Sequence, residues 1–336
     1  MKKILTASVA VLAGICAVPA SAQSISAAGA TFPAPIYQKW FGEYKTAHPS
    51  VQINYQPIGS GGGIKQLQEG TVDFGASDMP MTDEQIAACK IKPLEFPTVL
   101  GAVVMTYNIP GVTASLKLTP DAIAGIFLGS IKKWDDPAIK GANAGVNLPN
   151  KDIVVVHRSD GSGTSFVFTD YLSKISADWK SKVGANTSVQ WPTGLGEKGN
   201  DGVAGRVKQT PYSAGYVELI YAAQNKMLFA DVKNAAGKFV TPSFDSVTAA
   251  AASVKDMPAD FRVSITNAPG AASYPISTFT WLLIPSQIPD AGKKAAITGF
   301  LKWMMTDGQK EAQPLSYAPL PKAVTAKEEK QIALIK

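Results

Sequence analysis

The sequence predicts an α/β fold of two lobes, with mainly parallel strands. Strand and helix signals alternate along most of the 336 residues. Small, turn-forming residues stand between a strand signal and the next helix at several points. Two turn-rich stretches, Asn108–Gly111 and Asn267–Pro275, lie far apart, as expected when a middle domain is inserted into a discontinuous first one. Hydrophobic residues make up 46% of the chain and charged ones 17%, which marks a globular rather than a disordered protein. The length allows two separate cores.

Taken in order, Ile36, Trp40, Phe41 and Tyr44 sit at helical spacing within 35–47. Residues 51–55 alternate like a strand. A helix is expected over 62–69 and a strand over 72–74. Thr82 to Gln85 form a capping box that opens another helix. Residues 96–107 are a β-rich apolar run. Thr119, Pro120 and Asp121 give an N-cap, a proline at N1 and an acid in the first turn. A buried strand over 153–156 leads to a helix over 162–175. Further strands are expected at 217–219, 262–265 and 278–283, and a long helix at 291–305. The expected lobes are 23–108 with 272–336, and 109–271.

The first residues read as a targeting segment. Lys2 and Lys3 precede an apolar run from Ile4 to Val18. Pro19 ends the run, and Ala20-Ser21-Ala22 is a small-residue cleavage pattern, so residues 1–22 are expected to be a signal peptide cut after Ala22. Ile15 stands before Cys16 where a lipoprotein signal needs a small residue. No later stretch is long and apolar enough to span a bilayer. The mature protein is therefore expected to be soluble outside the cytoplasm. Cys16 leaves with the signal. Cys89 remains alone on an expected helix, as a buried inert thiol without a disulfide partner.

Loss of Lys2 and Lys3 lowers the formal charge from +6 to +4. The lysines are scattered, which argues against a nucleic-acid partner. The only arginines are Arg158, Arg206 and Arg262. One of them, Arg158, opens a Gly/Ser-rich loop.

Four loops share one grammar, an extended segment followed by small residues: 29–33, 59–63, 75–78 and 158–164. The first N–H groups of a helix lack intrahelical partners. Glycines let an anion approach them, and the helix dipole favours negative charge there. Ser and Thr hydroxyls add donors, and Arg158 adds a charged fork. One such loop is an ordinary cap. Four in one exported chain predict an anion cleft.

The segments AAGATFPAPIY (27–37), VDFGASD (72–78), KKWDDPAI (132–139), DGSGTSFVFTDYL (160–172) and KGNDGV (198–203) follow one another in a specific order. In these segments the chain resembles the periplasmic phosphate-binding proteins of ABC-type phosphate importers, over nearly the whole mature length. The resemblance implies a type II periplasmic binding protein fold, two doubly wound α/β domains joined by two hinge crossings. It also implies inorganic phosphate bound between the lobes and no catalysis. The implied ligand residues are Thr31, Phe32 through its backbone N–H, Ser60, Asp78, Arg158, Ser162, Gly163 and Thr164. Asp160 would pair with Arg158 and orient it. The implied partners are the membrane permease and the ATPase subunits of the importer. A monomer in the periplasm is expected, with no cofactor. Two departures from the family pattern are visible. Ala27 and Ala28 precede the first loop, and Gly61 replaces a second serine in the second.

Asp78 carries a specificity argument. A carboxylate repels an anion unless that anion brings a proton. Phosphate near neutral pH does, and sulfate does not. A site built around such a hydrogen bond can reject an analogue lacking it by about 10^4-fold.

Competing motifs are weaker. Residues 194–199 match GxGxxG with Glu218 beyond, but Pro192 interrupts the approach and export removes the chain from nicotinamide pools. The loop at 59–65 lacks the GK[ST] ending of a phosphate-binding NTPase. Neither Ser60 nor Ser162 sits in a GxSxG elbow. His48 and His157 are the only histidines available as a base, and His157 is expected to point away from Arg158. No HExxH or His/Cys cluster predicts a metal. Asp135 and Asp136 beside Trp134 read as a turn. The rival of a different class is an exported phosphatase or serine hydrolase using Ser162 or Ser60. Within the binding class the rival is another tetrahedral oxyanion, arsenate or sulfate.

Overall fold

A computed structural model describes residues 23–336, so the expected signal peptide lies outside the described residues. The chain begins with β1 (Gln23–Gly29), α1 (Ala34–Ala47), β2 (Val51–Pro57), α2 (Ser60–Glu69), β3 (Phe74–Ser77) and α3 (Asp83–Ala87). The long strand β4 (Pro93–Asn108) follows, then β5 (Lys117–Leu118), α4 (Pro120–Leu128), α5 (Pro137–Lys140), β6 (Val154–Arg158), α6 (Gly163–Ile175) and α7 (Ala177–Lys182). Next come β7 (Leu195–Glu197), α8 (Gly199–Gln209), β8 (Ser213–Glu218), α9 (Leu219–Gln224), β9 (Leu228–Phe229), β10 (Asp231–Lys233), β11 (Phe239–Val240) and α10 (Phe244–Ala251). The chain ends with β12 (Ser277–Pro285), α11 (Ala291–Thr306), two short 3-10 turns and α12 (Lys322–Ile332).

The principal sheet runs β2-β1-β3-β12-β4-β8-β6-β7, with β9 also on β4. It is mixed rather than mainly parallel. The run β1-α1-β2-α2-β3 places β1 between β2 and β3, parallel to both, and β6 lies parallel to β7 and β8. The two strands that carry the chain between the lobes, β4 and β12, are antiparallel to their neighbours. Periodicity reveals a strand but not its direction. Along β4, residues up to Ala102 pair with β12 and residues from Val103 pair with β8. The turn-rich Asn108 is the last residue of this strand.

Each half has its own aromatic core. Tyr37, Trp40, Phe41 and Phe300 interlock on the first side. On the second, Phe168 stacks on Tyr216 with centroids 4.4 Å apart, and Phe127 meets both edge-on or tilted. The Thr82 and Thr119 caps form as expected.

Three local expectations fail for physical reasons. Residues 262–265 alternate like a strand but make no ladder. Ser264 and Thr266 donate instead to Asp170 on α6, at 2.6 and 2.5 Å, and Arg262 is held by Asp83 and Asp260. Side chains have replaced sheet pairing there. Cys89 lies just beyond the capped end of α3, half-buried, and donates its thiol to the Gln85 carbonyl at 3.4 Å. Helix α2 begins at Ser60, two residues earlier than expected, because Gly59 takes φ +91 and turns the chain directly into the helix.

Candidate functional site

The candidate residues lie where strands end and helices begin. Ligand sites of α/β proteins fall at the carboxyl ends of strands for this reason. Thr31 and Phe32 follow β1, Asp78 follows β3, and Arg158 ends β6. Ser60 opens α2, and Gly163 and Thr164 open α6 behind the N-cap Ser162. All of them are buried.

Arg158 is held in one pose. Its Nε and terminal nitrogen donate to the two oxygens of Asp160 at 2.7 and 2.5 Å. Its other terminal nitrogen reaches the Thr164 hydroxyl at 3.4 Å. Asp160 also accepts the Gly199 N–H at 3.2 Å. Burial opposes ionisation of Asp160, but the guanidinium beside it holds its carboxyl below the usual range. The expected orienting role of Asp160 has this geometry behind it.

Asp78 is fully buried. Its Oδ1 accepts from the Thr280 hydroxyl at 2.8 Å, and its backbone N–H donates to the Ser60 hydroxyl at 3.2 Å. Its Oδ2 has no hydrogen-bond partner in the described residues. Burial pushes the carboxyl up to about 7. Gly163 sits against this group. A Cβ on Gly163 would collide with the Ser60 hydroxyl and lie 2.6 Å from Asp78 Oδ2. The start of α6 thus caps Asp78 and Ser60.

Other contacts seal the same seam. The Gly61 N–H donates to the Gly161 carbonyl at 2.8 Å. A Cβ at position 61 would lie 3.1 Å from the Gly161 Cα, so glycine at this departure from the family pattern lets the two loops touch. The amide of Asn200 donates to both the Thr31 and Thr164 hydroxyls, at 2.9 and 3.0 Å. Tyr221 donates its hydroxyl to the Thr31 carbonyl at 2.6 Å.

The donors are not all free. The Ser162 N–H donates to Thr187, and its hydroxyl oxygen accepts the Ser165 N–H as a cap. Only the hydroxyl proton of Ser162 can be aimed at a ligand. His157 stacks on Trp191 at 4.9 Å between centroids, away from the site, and burial lowers its pKa. Sequence reasoning missed Asn200, Thr280 and Tyr221. Asn200 was within reach, since it lies inside the KGNDGV segment. Thr280 and Tyr221 carry no local signal, because only the fold brings them to the cleft.

Four buried carboxyls, Asp78, Glu95, Glu218 and Glu328, are raised by burial and push the pH response of folding the same way. Glu95, buried with Oε2 unpartnered, is pushed to about 8 by burial. Between the unfolded and folded values only the folded chain keeps the proton, so stability is greatest in acid and falls as pH rises through about 7 and 8. Asp78 and Glu95 would each cost up to roughly 4 kcal/mol over that range. Urea denaturation of ligand-free protein across this range should show the decline, and Glu95→Gln should make it shallower. A profile that stays flat from acid to alkali would show that these carboxyls are not the ones that titrate.

Two lobes on a shared strand, with opposed helix starts closing over a buried arginine and carboxyl, define a solute-binding protein. A family model described as a PBP superfamily domain matches residues 17–308. Phosphate-binding protein PstS of Xylella fastidiosa (strain Temecula1) is 48% identical over 299 residues, 88% of this chain and 81% of that protein. Phosphate-binding protein PstS of Pasteurella multocida is 46% identical over 320 residues, 95% and 92% of the two chains. The chain belongs to the PstS family within the PBP superfamily. The fold also matches the solved structure of a periplasmic phosphate-binding protein, PfluDING, bound with phosphate. The TM-score is 0.73 at 21% identity, covering 92% of this chain and 93% of that one.

Proposed function

We propose that this protein captures inorganic phosphate outside the cytoplasmic membrane and hands it to an ABC-type import permease. The observation that carries this reading is the buried Asp78 with a free oxygen beside Arg158 and two helix starts. Arg158 and the helix N-termini supply positive potential. Asp78 supplies one acceptor, which suits an anion that arrives with a proton. The donors would be Thr31, Ser60, Ser162 and Thr164 through hydroxyls, and Phe32 and Gly163 through backbone N–H groups.

The lobes, 23–108 with 272–336 and 109–271, would close about the crossing strands and bury the ion. The closed form would dock as a monomer on the permease, with the ATPase subunits driving transport. Periplasmic location follows from cleavage after Ala22. No step in this reading breaks a bond. Isothermal titration of mature ligand-free protein should give saturable phosphate binding and far weaker sulfate binding. Equal affinity for the two anions would defeat the reading, and turnover of a chromogenic phosphate ester would favour a hydrolase.

A further inference from the structure

Glu218 is a second buried acid close to the site, and the phosphate reading leaves it unused. It ends β8 and caps α9, with its Oε2 accepting the Ile220 N–H at 2.7 Å. Its Oε1 is buried without a partner in the described residues. A Cβ on Gly101 would lie 3.1 Å from this oxygen and 2.6 Å from the Phe32 ring. Carboxyl and ring therefore meet on the crossing strand β4, beside the point where it changes partners and where Val103 pairs with Glu218 itself.

The same residue is tied to the seam between the lobes. Its backbone N–H donates to Asn200 Oδ1 at 2.9 Å. The amide of that Asn200 holds Thr31 and Thr164. The helix that Glu218 caps carries Tyr221, whose hydroxyl holds the Thr31 carbonyl. One residue thus links the crossing strand to the contacts that close the cleft.

A carboxylate with one unpartnered oxygen in so dry a place is far more costly than the neutral acid. The ionisable groups that face it, Asp78, Tyr221 and Tyr317, offer no compensating cation. The facing residues of β4, Gly101 to Val103, are apolar, and Arg158 is committed to Asp160. Burial and the charge of Asp78 both push the Glu218 carboxyl well above its ordinary value. A phosphate anion in the cleft would push it further in the same direction.

We propose that Glu218 is a positioning residue for phosphate capture, a neutral carboxylic acid that must hold its proton for the lobes to close. This rests on the reading of phosphate capture above. Closing and binding are then linked to protonation at Glu218, and alkaline conditions that remove the proton favour the open form.

The test is the phosphate Kd of the mature protein, by calorimetry, from about pH 6 to about pH 9. Wild type should lose affinity toward the alkaline end. Glu218→Gln, a permanent mimic of the neutral acid, should bind as well at neutral pH and lose at least about tenfold less at the alkaline end. Parallel profiles for the two proteins would overturn the proposal, and so would a folded Glu218→Gln protein that no longer binds. Should the variant not fold, infrared difference spectra of wild type labelled with carboxyl-13C glutamate decide the matter. At the alkaline end, where the ligand-free acid gives up its proton, phosphate should bring up a glutamate carboxylic-acid band, and its absence there would overturn the proposal. A wild type that binds no phosphate at any pH would overturn the capture reading as well. Saturable binding with parallel profiles would overturn only the role of Glu218.

Discussion

Asp78→Asn removes the discrimination between phosphate and sulfate, by up to about 10^4-fold. In wild type one proton is shared between Asp78 and the anion. Phosphate at neutral pH can bring that proton, and sulfate cannot. Bound sulfate would set a lone pair against the free Oδ2 of a buried carboxylate. Asparagine keeps the shape and can still accept from Thr280, but it turns an amide N–H toward the ligand. Sulfate should then gain affinity while phosphate loses an acceptor. The pH dependence has a definite sign. Burial in the closed cleft pushes the Asp78 carboxyl up to about 7. Below that value it carries its own proton and can donate to either anion. Above it, only phosphate supplies one. The discrimination of wild type should therefore widen as pH rises through about 7, and that of the variant should stay level. Paired calorimetric titrations with the two anions at several pH values measure this directly. An asparagine variant with wild-type selectivity would remove Asp78 from the recognition of the proton.

Gly163→Ala should cost roughly ten- to a hundredfold in phosphate affinity, matching the 1–3 kcal/mol of an overpacked contact. The added methyl has nowhere to go in the closed form. It would overlap the Ser60 hydroxyl and stand 2.6 Å from Asp78 Oδ2. Both groups belong to the opposite lobe and are held, Asp78 by Thr280 and Ser60 by the backbone of Asp78. Alanine is otherwise welcome at the first position of a helix. The variant should therefore fold with nearly unchanged thermal stability when ligand-free, and show its loss in binding. A large drop in ligand-free stability with normal binding would place the methyl against its own lobe instead.

Much of this site was legible from local chemistry. The start of α6 announces itself through Ser162, Gly163 and Thr164, and the Arg158–Asp160 pair through two residues one position apart from Ser159. The Thr82 capping box and the Thr119-Pro120 start are likewise complete within a few residues. What stayed hidden depends on long-range closure. Asn200 bridges Thr31 and Thr164, residues 169 and 36 positions away, and Thr280 meets Asp78 across 202 positions. Periodicity misled at 262–265, where Val263 and Ile265 alternate with polar residues but the hydroxyls of Ser264 and Thr266 fasten the segment to α6. Strand direction was out of reach for a related reason. β4 and β12 run against their neighbours, and no local pattern records that direction.

The 16-residue β4 belongs to both ladders, with one irregularity at Thr98 where the register with β12 shifts. Two lobes tethered by floppy linkers could swing through any angle and would lose much orientational entropy on each capture. Lobes strung on one pleated ribbon would have to wring it instead. Such a torsion bar would store a little restoring energy on each turn and return along the same path. The cleft would then sample few wrong poses, and the cargo would leave along the route by which it arrived.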